Sequence, residues 1–356
     1  MKKILYVLVI LSLTGCISGP VVKEVNISDE LKEAEALKQK KLFLMSQKEN
    51  ISRINRISYP ILVVAVPECD KQTVNNLGMI YTSAELYDEE YSEAYSDVYG
   101  GDELITIHAI TGSPSYKAGI QTGDKLVRIQ DSEFGNKKKD IKNLHKFLET
   151  EVQASSPVPI YIKRNHEYLT VHVVPEVTCN YPSIILNDPS LNAFADGDAI
   201  YFTQGMMDFT NDNELALVVG HEIAHNNMGH ITKKKKNYWF GFIFDVLYTA
   251  ATGVSSEGWF AEMSSRSHSQ EFESEADIVG LYYITRAEYE HEGAANFWRK
   301  MAIKNPAGIK GSYSSSHPSS TERYLTLESI EQEITSKIES GESLTYELKV
   351  RDTHQH

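Results

Sequence analysis

His221-Glu222-Ile223-Ala224-His225 is the stretch on which the reading of this chain turns. Upstream, Asn211 and Asp212 offer N-caps, Glu214 follows Asn211 by three residues, and Leu215, Val218, Val219 and Ile223 fall at helical spacing. The segment therefore reads as a helix. Four residues apart on it, His221 and His225 project from one face and can share a metal ion. Glu222 lies one residue round, close to the ion without ligating it. Two neutral imidazoles holding Zn²⁺, beside a carboxylate that takes a proton from the bound water, is the arrangement a zinc peptidase needs.

Three protein ligands and a water complete such a site. A metzincin would place Gly at 228 and a third His at 231, where this chain has Met228 and Ile231; His230 is off that register and reads as the end of the helix. The other common solution is a Glu on a later helix, and Glu273-Ser274-Glu275-Ala276-Asp277 begins 48 residues after His225. Glu273 and Asp277 share a helical face, so one can ligate while the other orients a ligand His. On spacing alone Glu271 and Glu275 are rivals.

With Gly229-His230, Glu273-x-x-Ala276-Asp277, and Asn192-Ala193-Phe194-Ala195-Asp196-Gly197 ahead of a strand, the chain resembles the HtpX and CAAX prenyl endopeptidase family of gluzincins. Ser316-His317-Pro318-Ser319 and Arg323 match that family's His-Pro-Ser…Arg element. The likeness covers about residues 177–335 and the helix from Leu31 to Pro60. It implies that Glu273 is the third ligand, that Asp277 supports it, and that one Zn²⁺ binds per chain. Glu222 is then general base and afterwards proton donor to the leaving amine. His317 is assigned to the catalytic set, either reaching the zinc or the developing oxyanion or capping structure. Ala199–Thr203 is a candidate edge strand that could pair with extended substrate. About thirty residues follow Arg323, too few for the helical repeats of some periplasmic relatives.

Upstream lies a second unit. Leu77-Gly78-Met79-Ile80 precedes an extended stretch, and Leu104–Ile110 alternates like a strand. Ser113-Pro114-Ser115-Tyr116-Lys117-Ala118-Gly119-Ile120 and Gly123-Asp124 fix two turns around a short helix. A helix over Ile141–Val152 and strands over Val158–Lys163 and Tyr168–Val174 close the segment. Residues 72–176 resemble a PDZ domain, which implies that backbone N–H groups of Leu77, Gly78 and Met79 capture a peptide C-terminus while the next strand pairs with it. Tyr87, Tyr91, Tyr95 and Tyr99 recur every four residues among acidic neighbours and read as a packing stripe on a helix, with a place in the peptide groove as the alternative.

The N-terminus addresses the chain. Lys2 and Lys3 precede an uncharged run from Ile4 to Leu13, too short to span a bilayer, and Leu13-Thr14-Gly15-Cys16 resembles the bacterial lipoprotein box. That resemblance implies lipidation of Cys16 and, with Ile17 next, an outer-membrane anchor facing the periplasm. Of the three Cys this leaves Cys69 and Cys179, whose disulfide in an oxidising compartment would staple the two roots of the insert. Three Cys are too few for a disulfide-framework miniprotein or a four-Cys zinc site. With Lys+Arg 35 against Asp+Glu 49 and a net charge of −14, the chain lacks the cationic surplus that nucleic acid demands. At 356 residues and 41% hydrophobic it is neither disordered nor fibrous. Lys233–Lys236 and the aromatic run from Tyr238 read as a helix packed on the core or gating the cleft, with a membrane-surface helix as the alternative.

The expected fold class is α+β: a mainly helical gluzincin zinc-protease domain with a small edge-strand sheet, interrupted by a β-rich PDZ domain. Residues 1–15 form a lipoprotein signal peptide, and 16–71 an anchored segment with the first protease helix. Residues 72–176 are the inserted PDZ domain, 177–340 the zinc metalloprotease domain and 341–356 a C-terminal tail. The expected partners are polypeptides, unfolded or with free C-termini at the PDZ groove, and a membrane reached through lipid. The expected activity is hydrolysis of misfolded or unassembled envelope proteins. The competing class is a lipid-anchored PDZ adaptor or chaperone with a latent zinc site, against which an intact Glu222 counts.

Overall fold

A computed structural model describes residues 26–69, 72–230, 270–304 and 321–347. Its first element, α1 (Asp29–Val64), is started by the Ser28 hydroxyl, which accepts from the Leu31 N–H at 3.4 Å, with Asp29 and Glu30 in the first turn. Pro60 lies inside the helix instead of ending it: one ladder bond is lost, but Ile54, Ile57, Ile61 and Leu62 are buried at helical spacing and hold the last turns to the core. The first half of α1 is mostly exposed.

The chain then leaves this core through a two-stranded stem. β1 (Thr73–Asn76) pairs antiparallel with β8 (Glu176–Cys179), Thr73 standing opposite Cys179. A Cys69–Cys179 disulfide, with Cα atoms 5.7 Å apart, closes the stem at its base. Beyond the stem, β2 (Met79–Thr82), β3 (Ile105–Ala109), β4 (Lys125–Ile129), β6 (Val158–Arg164) and β7 (Glu167–Val173) form an antiparallel sheet in that order, with β5 (Ser132–Glu133) on β4. Alternation puts Val158, Ile160 and Ile162 inward, where they meet Ile105, Ile107, Leu126 and the Ile141–Leu144 face of α4 (Lys138–Thr150). This apolar cluster is separate from the one beneath the stem.

The tyrosine stripe departs from expectation in its backbone. Only Ser92–Tyr99 (α2) is α-helical; Tyr91 closes a 3₁₀ turn and Tyr87 lies ahead of it in extended backbone. Packing nevertheless unites the four rings. Tyr95 stacks on Tyr99 at 4.5 Å and meets Tyr87 at 5.6 Å, while Tyr91 meets Phe43 of α1 at 5.8 Å. The cluster, with buried Leu44, seats the insert against α1.

After the stem the chain forms a three-stranded sheet. β9 (Ser183–Leu186) pairs parallel and β10 (Ala193–Ala195) antiparallel with β11 (Ile200–Thr203), which lies between them. The expected edge strand, Ala199–Thr203, is therefore the central one, and its four strand residues are all buried. Among the described strands of this sheet, β9 and β10 are the outer two. The helices α5 (Gln204–Phe209), α6 (Asp212–Asn227), α7 (Gln270–Arg286), α8 (Ala294–Lys304) and α9 (Thr321–Ser340) complete the described chain. They share one apolar cluster with the end of α1 and this sheet. Among the described residues no helix is long and apolar enough to cross a membrane.

Candidate metal centre

Local sequence starts the site helix where it was expected. Asn211 caps α6 through a reciprocal box: its Oδ1 accepts from the Glu214 N–H at 2.9 Å, and Glu214 accepts from the Asn211 N–H at 3.0 Å. Arg53 of α1 pins the same end, donating to Asp212 and to the carbonyls of Met207 and Thr210. Leu215–Asn226 is continuously buried, so the helix runs through the centre of the core.

α7 crosses α6 at a pair of glycines. A Cβ on Gly280 would stand 2.7 Å from the His221 N, and one on Gly220 would stand 2.7 Å from the Gly280 carbonyl oxygen. Only glycine permits this approach, and it brings Glu273, two turns back along α7, over both imidazoles. The Nε2 atoms of His221 and His225 are 3.0 Å apart; Glu273 Oε2 is 3.5 Å from the first and Oε1 3.3 Å from the second. Tetrahedral zinc with ligand bonds near 2.0–2.1 Å places its ligands about 3.3 Å from one another. The three side chains are fully buried and fit that geometry.

The surrounding charge fits a cation as well. His221 Nδ1 lies 3.0 Å from Asp277 Oδ1, one turn beyond Glu273. Burial alone would lower the His221 pKa, but hydrogen bonds and charge from Asp277 and Glu273 outweigh it and raise it to about 10. Asp277 is held below the usual carboxylate range despite burial, chiefly by the charge of Arg323 and its bond to His221. Arg323 is itself buried: Nε and Nη2 donate to the two oxygens of Asp277 at 2.7 and 2.8 Å, and Nη1 lies 3.2 Å from Glu273. Two buried carboxylates, Glu273 and Asp277, thus meet one guanidinium, and Glu222 is a third buried carboxylate on α6, a balance that suits a divalent cation held by neutral imidazoles. Trp298 of α8 covers His221 with ring centroids 5.0 Å apart, and the Arg323 guanidinium lies 5.3 Å from the Trp298 ring.

Residues 167–331 match the family model for Peptidase family M48. This segment is similar in sequence to the M48 metalloproteases. The match begins within β7, so it overlaps the last strand of the insert. Among similar proteins, the mitochondrial metalloendopeptidase OMA1 of Arabidopsis thaliana is 32% identical over 147 residues, covering 40% of this chain and 30% of that protein. The metalloprotease YcaL of Escherichia coli K12 is 31% identical over 170 residues, 46% of this chain and 63% of the relative. The chain thus spans less than two thirds of the length of either relative. Among solved structures, the HtrA3 PDZ domain bound to a phage-derived ligand is 17% identical and covers 30% of this chain and 88% of that one, at a TM-score of 0.23, too slight a likeness to assign the insert.

The structure brings together His221, His225, Glu273 and Asp277, with Glu222 buried on the same helix. Of the remaining expected residues, Cys16, His317 and the run from Tyr238 to Val254 lie outside the described residues. Leu77 and Met79 line a cavity of about 390 Å³ bounded by β2, α4, α1 and β9. The Gly78 N–H there donates to Asn76 Oδ1 at 2.7 Å, so one of the three expected peptide donors is engaged within the chain. Sequence reasoning gave no role to Trp298 or to the Gly220–Gly280 contact, and left Arg323 as a motif match only. The glycines carry a signal, since each sits at a fixed step from a site residue. Trp298 carries none that a single sequence can show.

Proposed function

We propose that the chain is a lipid-anchored zinc endopeptidase of the bacterial envelope, of the HtpX and CAAX prenyl type, whose PDZ insert recruits polypeptides or regulates the cleft. The observation that carries the reading is the set of three buried donor atoms from His221, His225 and Glu273 within 4.8 Å of one another, on a helix that also holds buried Glu222. When bound, zinc supplies the Lewis acid that polarises a scissile carbonyl and acidifies an attacking water. Glu222 accepts the proton from that water and returns it to the leaving amine. Asp277 takes the hydrogen on His221 Nδ1, fixing the tautomer that points the Nε2 lone pair at the donor cluster.

β10 packs beside α6 within the three-stranded sheet. Binding through main-chain pairing, irrespective of sequence, is the mode that favours unfolded or unassembled substrates. Asp196 shapes the turn from β10 to β11, accepting from the N–H groups of Asp198 and Ala199 and from the Tyr201 hydroxyl. Asn226 of α6 locks that turn to the zinc helix through Gly197 N–H and the Ala199 carbonyl. The lipoprotein-type N-terminus supports an outer-membrane, periplasm-facing site of action.

The test is metal analysis of the purified protein together with cleavage of casein, an unfolded substrate. One zinc per chain and proteolysis abolished by a chelator and restored by zinc are expected. Stoichiometric zinc with no cleavage of casein or of heat-unfolded envelope proteins would instead support an adaptor with a latent site.

A further inference from the structure

His221 has a carboxylate directly behind it, and His225 has a longer arrangement. α6 ends in a left-handed turn at Gly229 (φ +66°), in which the Met228, Gly229 and His230 N–H groups donate back to Ala224, Asn226 and His225 carbonyls. The turn folds His230 under the helix, and its side chain is 1% exposed. Its Nδ1 stands 2.9 Å from His225 Nδ1, and its Nε2 stands 3.0 Å from Glu275 Oε2. The ring is held between His225, edge-on at 5.0 Å, and Phe272 of α7, stacked at 4.5 Å.

Hydrogen placement along this chain has one direction. His225 Nε2 faces His221 and Glu273, so its lone pair must be there if it is to ligate, and its hydrogen is on Nδ1. His230 Nδ1 must then accept, which leaves the His230 hydrogen on Nε2, pointing at Glu275. We propose that His230 and Glu275 are positioning residues that fix the tautomer and ring orientation of the second metal ligand, as Asp277 does for the first. Neither reaches the donor cluster itself. The inference rests on the zinc reading above and extends it to two residues that the sequence presents as a helix end and a rival ligand.

The test is zinc affinity of the stripped full chain, titrated against a chromogenic chelator, with the unfolding midpoint of the metal-free protein measured in parallel. Removing a group that orients a metal ligand weakens binding about 10–100-fold, and this is expected for His230→Ala. Glu275→Gln, whose site is 20% exposed and tolerant of an isosteric change, should weaken zinc in the same direction and carries the test if His230→Ala does not fold. His230→Gln, whose amide can accept from His225 and donate to Glu275, should recover part of the loss. Adding Glu275→Gln to His230→Ala should cost nothing further, because both act through one chain. Zinc affinity within twofold of the parent in His230→Ala and Glu275→Gln, with only the metal-free unfolding midpoint lowered, would overturn the proposal and leave His230 as a cap. A parent protein that takes up no zinc would overturn the zinc reading, and the relay with it.

Discussion

Arg323 shows how much of this site depends on a buried group that is not itself one of the candidate metal ligands. It is 4% exposed and forks onto both oxygens of Asp277 while reaching Glu273. Truncating one partner of a buried pair strands the other, at a cost of about 3–5 kcal/mol. Arg323→Ala is therefore expected to lower unfolding stability by that order and to weaken zinc about 10–100-fold. Urea unfolding and chelator competition measure the two separately. Arg323→Lys should not restore zinc binding, since a lysine cannot make the bidentate contact; a lysine variant with parental affinity would contradict the geometry.

His108 carries a different, pH-dependent consequence. It is 4% exposed, and burial, reinforced by the charge of Lys48, lowers its pKa to about 4. The unfolded chain would bind that proton near pH 6.5, so the full stability is present above that value and is lost as pH falls towards 4. The difference is about 2–3 kcal/mol between pH 7 and 4.5. Denaturant unfolding at the two pH values should show a smaller acid loss for His108→Gln than for the parent. Equal losses would mean that His108 is not held neutral.

At the scale of elements, the contact of α6 with α7 sets the reach of Glu273. Gly280→Ala would press a methyl group against the backbone of His221, so the helices must part. Overpacking of this kind costs about 1–3 kcal/mol, and zinc affinity should fall with it because the third ligand moves. Unchanged affinity in that variant would detach the glycine pair from the site.

The elements also show what a single sequence reveals. The zinc helix was legible because its cap, its apolar face and its two ligands all lie within one stretch of sixteen residues. Glu273 was legible only as one of several carboxylates until a family resemblance chose it, since its meeting with His225 is a tertiary event. β11 was misread as an edge because its neighbours, β9 and β10, are fixed by pairing across the chain. Its run Ile200-Tyr201-Phe202 did carry the clue, as a strand buried on both faces loses polar alternation. His230 was taken for a helix end, whereas the turn at Gly229 returns it to the ligand it follows.

In the whole molecule, one polypeptide body interrupts another, and the join is covalent as well as packed. The Cys69–Cys179 bridge closes a span of 110 residues, and both cysteines are buried. In the chain-entropy account, such a loop contributes about 4–5 kcal/mol, less any strain. The double variant Cys69→Ser, Cys179→Ser should unfold at lower urea and be cleaved sooner by added protease near the stem; matching midpoints would show that the packing of α1 against the tyrosine cluster holds the insert alone. That packing, with the shared cavity of α1, β2, α4 and β9, joins the insert to the rest of the molecule.

At the centre of the molecule one buried carboxylate, Glu222, stands on the helix that carries two of the three candidate metal ligands. The decisive measurement is casein cleavage by Glu222→Gln, with zinc content determined on the same preparation. The expected result is one zinc per chain and a rate lowered by at least about 10²–10⁴-fold, because the ligands are intact while the proton acceptor is gone. A zinc-loaded Glu222→Gln protein that cleaves casein at the parental rate would contradict the account.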